Sequence, residues 1–183
     1  IQPQISKKPV SWVLKMPLLD KVVLNKIRET LMNAFGGEFS QIIIGGAPLN
    51  AEVEAFLRRI KFPVTVGYGM TETAPLISFT PWTDFRSQSC GQVLKGFMDA
   101  RIANPDMDGV GEIQVRGENV MAGYYKNEQA TKESFTEDGW LRTGDLGIID
   151  KDGFIYIKGR CKTMLLGPSG QNIYPEEIEA KIN

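Results

Sequence analysis

Apolar residues recur at helical spacing early in the chain. Val23, Ile27, Leu31 and Phe35 repeat every fourth position, and Leu24 and Ala34 widen the stripe. The pattern predicts an amphipathic helix over residues 18–35, stopped by Gly36 and Gly37. The run FSQIII at 39–44 predicts a buried strand ending at Gly45 and Gly46. Asn50 is placed to cap a second helix, AEVEAFLRRI, with Glu52 in its first turn. PVTVG at 63–67 predicts the next strand. A strand–helix–strand order implies a parallel pair with a right-handed crossover. Ligands of such sheets sit beyond the carboxyl ends of the strands. Gly45, Gly46 and Ala47 are therefore expected beside Gly67, Tyr68 and Gly69.

The pattern changes after about residue 76. Short alternating runs (ARIAN, GEIQVRG, LGIID, FIYIKG) are separated by Gly and Asp turns, and Asp152-Gly153 marks a hairpin. This stretch predicts a small antiparallel sheet or partial barrel, interrupted by one helix over 127–135. Pro175 and the acids after it open a last helix, with Ile178 and Ile182 on its apolar face. That helix meets Asn183 after two or three turns, too few to bury its face alone, so an artificial or processed end is expected. The expected fold class is mixed α/β: the end of a parallel α/β subdomain at 1–75, a β-rich antiparallel subdomain at 76–161, and a further segment from 162 to 183.

Composition removes several function classes. With 42% hydrophobic and 23% charged residues the chain is an ordinary globular sequence rather than a disordered one. A net charge of -1 gives no general attraction to nucleic acid or anionic membranes. Lys7 and Lys8 form a basic pair expected to be solvated. Cys90 and Cys161 are distant in sequence and form no Cys-x-x-Cys pair, so neither a disulfide framework nor a zinc site is expected, and a reducing cytoplasmic setting fits. No apolar run reaches the length of a membrane span. The first residues resemble neither a signal peptide nor a natural start. The sequence has no histidine, which excludes a Ser-His-Asp triad, a Cys-His pair and histidine-ligated metal. Any catalysis must rest on positioning and charge stabilisation.

Each chemistry-bearing residue has a plain structural reading. Tyr68 reads as an aromatic packed at a strand end, and Gly45, Gly46 and Ala47 as a strand-to-helix turn. Thr71 and Glu72 read as a helix cap and a first-turn acid. Asp145 reads as a turn aspartate, Arg160 as a surface arginine, Lys162 as a solvated lysine and Gly170 as a turn glycine.

Four motifs in order alter that weighting: IGGAPL (44–49), GYGMTET (67–73), GWLRTGD (139–145) and GRCKTMLLGPSGQNIYPEEIE (159–179). Together they resemble the adenylate-forming superfamily of acyl-CoA synthetases, luciferases and peptide-synthetase adenylation domains. The likeness runs from about residue 15 onward, and MLLGPSGQNIYPEEIE is most similar to the long-chain fatty-acid–CoA ligases. The resemblance implies an internal piece of an enzyme that joins a fatty acid to ATP and then to coenzyme A. The acid's carboxylate attacks the α-phosphate, giving acyl adenylate and pyrophosphate, and the thiol then displaces AMP. That nucleophile is already ionised at neutral pH, so no histidine base is required.

The same resemblance implies roles. Gly45, Gly46, Ala47, Tyr68 and Gly69 would line adenine, and Thr71 would meet a phosphate oxygen. Glu72 would bind Mg²⁺, and Asp145 and Arg160 would hold the ribose or a phosphate. Lys162 would be the hinge to a small C-terminal domain, so residues after it are expected to pack loosely. Gly170 would face the pantetheine channel of coenzyme A. Arg116, Glu118, Tyr124 and Tyr125 lie in a shared stretch and receive no role; Trp140 is left to packing. The family's Ser/Thr/Gly-rich triphosphate loop belongs upstream of these motifs and its adenylation lysine downstream; neither occurs in this sequence. Other carboxylic acids (aryl, medium-chain or amino acids) and a non-catalytic nucleotide-binding module are the alternatives. A cytoplasmic location, with peripheral membrane contact by the parent enzyme, is expected.

Overall fold

A computed structural model of the chain describes residues 17–47, 49–166, 172–175 and 178–179. These fall into two units. One holds the described residues through Ile42 together with Ala51–Val64; the other holds the described residues from Ile43 to Asn50 and from Thr65 onward.

The first unit contains helices α1 (Pro17–Ala34) and α2 (Ala51–Arg59). Both lie where the apolar spacing places them. The strand expected over 39–44 is shorter, Ile42–Ile44. The reason lies in Phe39, whose ring packs 6.3 Å from Phe35 and 6.0 Å from Phe62 and draws that end of the run into an aromatic cluster. Glu54 of α2 is buried, with Arg58 one turn on at 3.7 Å.

Strands β1 (Ile42–Ile44) and β2 (Val64–Val66) form a two-stranded sheet. The Ile42 amide donates to the Pro63 carbonyl and the Gly67 amide to the Ile44 carbonyl. Both registers rise together, so the pair is parallel, as the strand–helix–strand order predicts.

The second unit is β-rich and antiparallel. Strands β3 (Tyr68–Gly69), β4 (Leu76–Phe79) and β5 (Gln92–Val93) form one sheet. They are too short for a period-2 pattern to announce them. Strands β6 (Met98–Ala103), β7 (Gly111–Gly117), β8 (Leu141–Ile149) and β9 (Ile155–Arg160) form a four-stranded meander. Helix α3 (Glu128–Ser134) interrupts it, capped by Asn127, whose side chain accepts from the Ala130 amide. Asp150 closes the β8–β9 hairpin by accepting from the Asp152 and Phe154 amides. Ile77, Met98, Ile113, Val115, Leu141 and Ile155 form the buried core, and Tyr68 and Met70 pack against it. The fold is mixed α/β with parallel and antiparallel sheets, as the pattern of elements implies.

After β9, strands β10 (Leu165–Leu166) and β11 (Asn172–Ile173) pair with each other. The Asn172 side-chain amide and the Tyr174 hydroxyl both donate to Asp106 Oδ2 in the β6–β7 turn, at 3.1 and 3.4 Å. Among the described residues, no helix is long and apolar enough to cross a membrane.

Candidate functional site

Asp145 is the meeting point of the predicted residues. It lies on β8 directly opposite Arg160 on β9, at an irregularity that follows Leu146. Just before it, Gly144 takes a φ of +71°, which a side chain would strain. The neighbouring β7–β8 register also shifts around Ile113. The Thr143 hydroxyl fills that gap, donating to the Ile113 carbonyl at 2.7 Å and accepting from the Asp145 amide at 3.1 Å. The Thr-Gly-Asp sequence thus builds a local kink that aims the carboxylate.

Two groups hold that carboxylate. The Tyr68 phenol donates to Oδ2 at 2.7 Å, and the Arg160 Nε donates to Oδ1 at 2.9 Å. The Asp145 side chain is 9% exposed against 63% for Arg160, so the acid is fixed while its cation faces solvent. Each carboxylate oxygen has a second lone pair, which suits it to accept vicinal hydroxyls while the protein keeps its orientation. Burial, and then the nearby Asp145 charge, push the Tyr68 hydroxyl well above the ordinary phenol range. Tyr68 therefore stays protonated as a donor.

Tyr68 is positioned by β3, which pairs with β4 through Tyr68 and Ser78. Gly69 follows it for steric reasons: a Cβ there would overlap the Pro75 carbonyl. Gly45 lies beside Gly67, whose carbonyl is 3.5 Å from where a Gly45 Cβ would stand. The two strand ends are therefore adjacent, and Gly45, Gly46 and Ala47 are all exposed there.

Thr71 and Glu72 lie on a 3-10 turn, Thr71–Thr73, whose cap position is Met70. Thr71 is not the cap that a plain helix-start reading assigns to it; it is exposed within the turn. The buried Thr73 hydroxyl ties the turn together, donating toward the Pro75 carbonyl at 2.6 Å. Glu72 Oε1 accepts from the Tyr124 phenol at 2.7 Å, a bond that holds Tyr124 above its usual range. Lys162 is exposed in the turn after Arg160. Gly170 lies outside the described residues.

Sequence reasoning missed Thr73, Asn119 and Tyr124. The only signal for Tyr124 was its place in a stretch shared with the resembled family. Trp140, left to packing, meets the guanidinium groups of Arg101 and Arg116 over its ring, at 4.5 and 4.6 Å. A shallow hollow of about 550 Å³ opens elsewhere, at the β8–β9 hairpin. Its Arg86 is already engaged by Asp150 at 2.8 Å and Asp152 at 2.7 Å, and Lys95 and Lys151 also line it.

Among the described residues, no group of three or more Cys, Asp or Glu could hold a metal ion alone. Glu72 supplies one carboxylate with Oε1 engaged and Oε2 remaining. That donor set fits Mg²⁺ carried by a polyphosphate, since Mg²⁺ takes one or two protein carboxylates and fills its shell with phosphate and water.

Comparison with known proteins addresses the family. Residues 7–125 match the AMP-binding enzyme family. A long-chain-fatty-acid–CoA ligase of Mycobacterium bovis, FadD15, is 38% identical over 92% of this chain and 26% of its own length. The long-chain-fatty-acid–CoA ligase ACSBG1 of Rattus norvegicus is 36% identical over 90% of this chain and 22% of its own. The chain thus spans about a quarter of the length of the curated relatives it matches. Among solved structures, O-succinylbenzoate coenzyme A synthetase of Bacillus subtilis, in complex with ATP and magnesium ion, superposes with a TM-score of 0.69 at 32% identity, over 84% of this chain and 34% of that one. ATP-bound MatB of Rhodopseudomonas palustris gives 0.67 at 35% identity, over 78% and 29%. The family match leads to one identification: this chain belongs to the AMP-binding enzyme family.

Proposed function

We propose that the chain is the central portion of an AMP-forming long-chain fatty-acid–CoA ligase that uses ATP, Mg²⁺ and coenzyme A. The observation that carries this reading is the Tyr68–Asp145–Arg160 cluster, which unites residues from three separated motifs on one carboxylate. Long-chain specificity rests on the names of relatives such as FadD15 and ACSBG1.

In this reading Tyr68 offers its ring to adenine while its hydroxyl orients Asp145. Asp145 accepts the ribose hydroxyls, and Arg160 holds the carboxylate and faces a ribose or phosphate oxygen. Gly45, Gly46 and Ala47 let the backbone approach the base. Thr71 donates to a phosphate oxygen, and Glu72 is the protein's ligand to Mg²⁺. Bound there, the cation would neutralise phosphate charge as the anionic acid approaches. Lys162 sits at the hinge to a small domain, and the family resemblance assigns Gly170 to the thiol substrate's channel. The two free cysteines fit a cytoplasmic enzyme.

The test is AMP binding by calorimetry. This chain should bind AMP weakly, and Asp145→Ala should weaken it by about tenfold or more, the scale of a charge-assisted hydrogen bond. Equal binding by wild type and D145A would sink the assignment. A second reading keeps the family and changes the acid; the likeness to O-succinylbenzoate coenzyme A synthetase favours it. Assaying the full-length ligase on palmitate, octanoate and an aryl acid separates the two readings.

A further inference from the structure

The segment at 117–125, to which sequence reasoning assigned no chemistry, is bonded to the Thr71–Thr73 turn at three points. The Asn119 side-chain amide donates to the Thr73 carbonyl at 2.6 Å and to the Leu76 carbonyl at 2.9 Å, spanning the turn's exit. The Met121 amide donates to the Glu72 carbonyl at 2.8 Å. The Tyr124 phenol donates to Glu72 Oε1 at 2.7 Å. Asn119 Oδ1 is buried without a hydrogen-bond partner among the described residues, which costs free energy. A residue held in place at that cost is held by its two donated bonds.

Tyr124 is itself anchored. Its amide donates to the Thr131 hydroxyl at 2.8 Å, and that hydroxyl donates to the Asn127 carbonyl at 2.9 Å. Gly123 lies so close to the Thr131 side chain that a Cβ there would collide with it. The phenol therefore projects from a backbone fixed on α3.

We propose that residues 117–125 brace the Thr71–Thr73 turn, and that Tyr124 is a positioning residue holding the Glu72 carboxylate in the rotamer that presents Oε2 to Mg²⁺ on the bound nucleotide. This rests on Glu72 being the metal ligand. A glutamate on a short, partly exposed turn has three rotatable bonds, and each unfixed rotamer weakens the site it must form. The phenol occupies one oxygen and leaves the other for the cation. Carboxylate ligands are commonly held in this way by hydrogen-bonded neighbours.

The experiment uses the full-length ligase containing this sequence. Mn²⁺ is titrated by electron paramagnetic resonance in the presence of a non-hydrolysable ATP analogue, and AMP binding is measured without metal. Tyr124→Phe should weaken Mn²⁺ binding by about tenfold, the lower end of the range for loss of such a partner. Its AMP affinity and melting temperature should match the wild type, because the side chain is 40% exposed and loses only a hydroxyl. Glu72→Gln should weaken Mn²⁺ at least as much, and the double variant should be no worse than E72Q alone. Asn119→Ala should speed hydrogen exchange at the amides of residues 72–74. Wild-type Mn²⁺ binding by Y124F, with E72Q impaired, would overturn the brace and leave the ligand assignment standing. Wild-type binding by E72Q would overturn both.

Discussion

The Tyr68 hydroxyl donates to a carboxylate that is almost wholly out of water. Folding therefore holds its proton more tightly than the unfolded chain does, where a phenol ionises near about pH 10. The sign follows from linkage. Below about pH 10 both states keep the proton and the stability is fully present; above it the unfolded state releases the proton first, and stability falls by up to about 1.4 kcal/mol per pH unit. Urea unfolding between pH 8 and 11 should show wild type losing stability above pH 10 faster than Tyr68→Phe. Parallel loss in the two proteins would mean that the hydroxyl is not so held. The cysteines give a second residue-scale expectation. Burial pushes the Cys90 thiol up to about 11 and raises Cys161 as well. At pH 8 both are overwhelmingly thiols and should alkylate slowly with iodoacetamide. Cys161, the less enclosed, should react before Cys90 by peptide mass spectrometry, and the reverse order would contradict the burial argument.

At the scale of elements, the β3–β4 hairpin carries most of the candidate site, because it sets Tyr68 and leads into the Thr71–Thr73 turn. Its tolerance for side chains is low. Gly69→Ala would drive a Cβ into the Pro75 carbonyl, backbone against backbone, with no flexible group to yield. The expected loss is about 2–3 kcal/mol in urea unfolding, with AMP binding lost as Tyr68 shifts. Gly46→Ala is the contrast. Its φ of +82° strains a side chain, but nothing lies within 4 Å of the added atom, so the cost should be only about 1–2 kcal/mol. If G46A proved the more damaging, close approach would not be what selects Gly69. The Asn127 cap of α3 is worth about 1 kcal/mol by the usual measure of such caps, and Asn127→Ala should also loosen Tyr124 through Thr131.

At the scale of the molecule, binding and catalysis separate. The chain holds the base, ribose and metal candidates, but its sequence contains no triphosphate loop and no adenylation lysine of the kind the family uses. One preorganised charge-stabilising donor contributes about 3–4 kcal/mol to a transition state, so lacking a lysine and a loop together should slow acyl-adenylate formation by more than about a thousandfold. The chain should bind AMP yet form no detectable palmitoyl-CoA from palmitate, ATP, Mg²⁺ and coenzyme A. The full-length ligase, assayed beside it, should turn over. Robust turnover by this chain would show that the chemistry lies in other residues than those named.

The sequence by itself determined the long elements and the family. Helices α1 and α2, the parallel pair β1–β2 and the strands β6, β7 and β9 were legible because each is long enough, or flanked by clear enough turns, for its apolar period to register. Of β8 only the LGIID end was, and Asp145, read as a turn aspartate, lies inside the strand. Tyr68, Asp145 and Arg160 were legible as candidates only through the motifs that carry the family resemblance, since each residue by itself has a plain structural reading. Tertiary structure alone decided how these residues meet. Tyr68 and Asp145 are 77 positions apart, and only the packing of β3 beside the β8 kink makes them hydrogen-bonded neighbours. The strands β3 to β5 escaped notice because two to four residues cannot display a period. Tyr124 escaped for a different reason: its partner Glu72 lies 52 positions away. A hydrogen bond between distant residues leaves no local pattern in the chain, so the support beneath the candidate metal ligand became visible only once the backbone had folded around it.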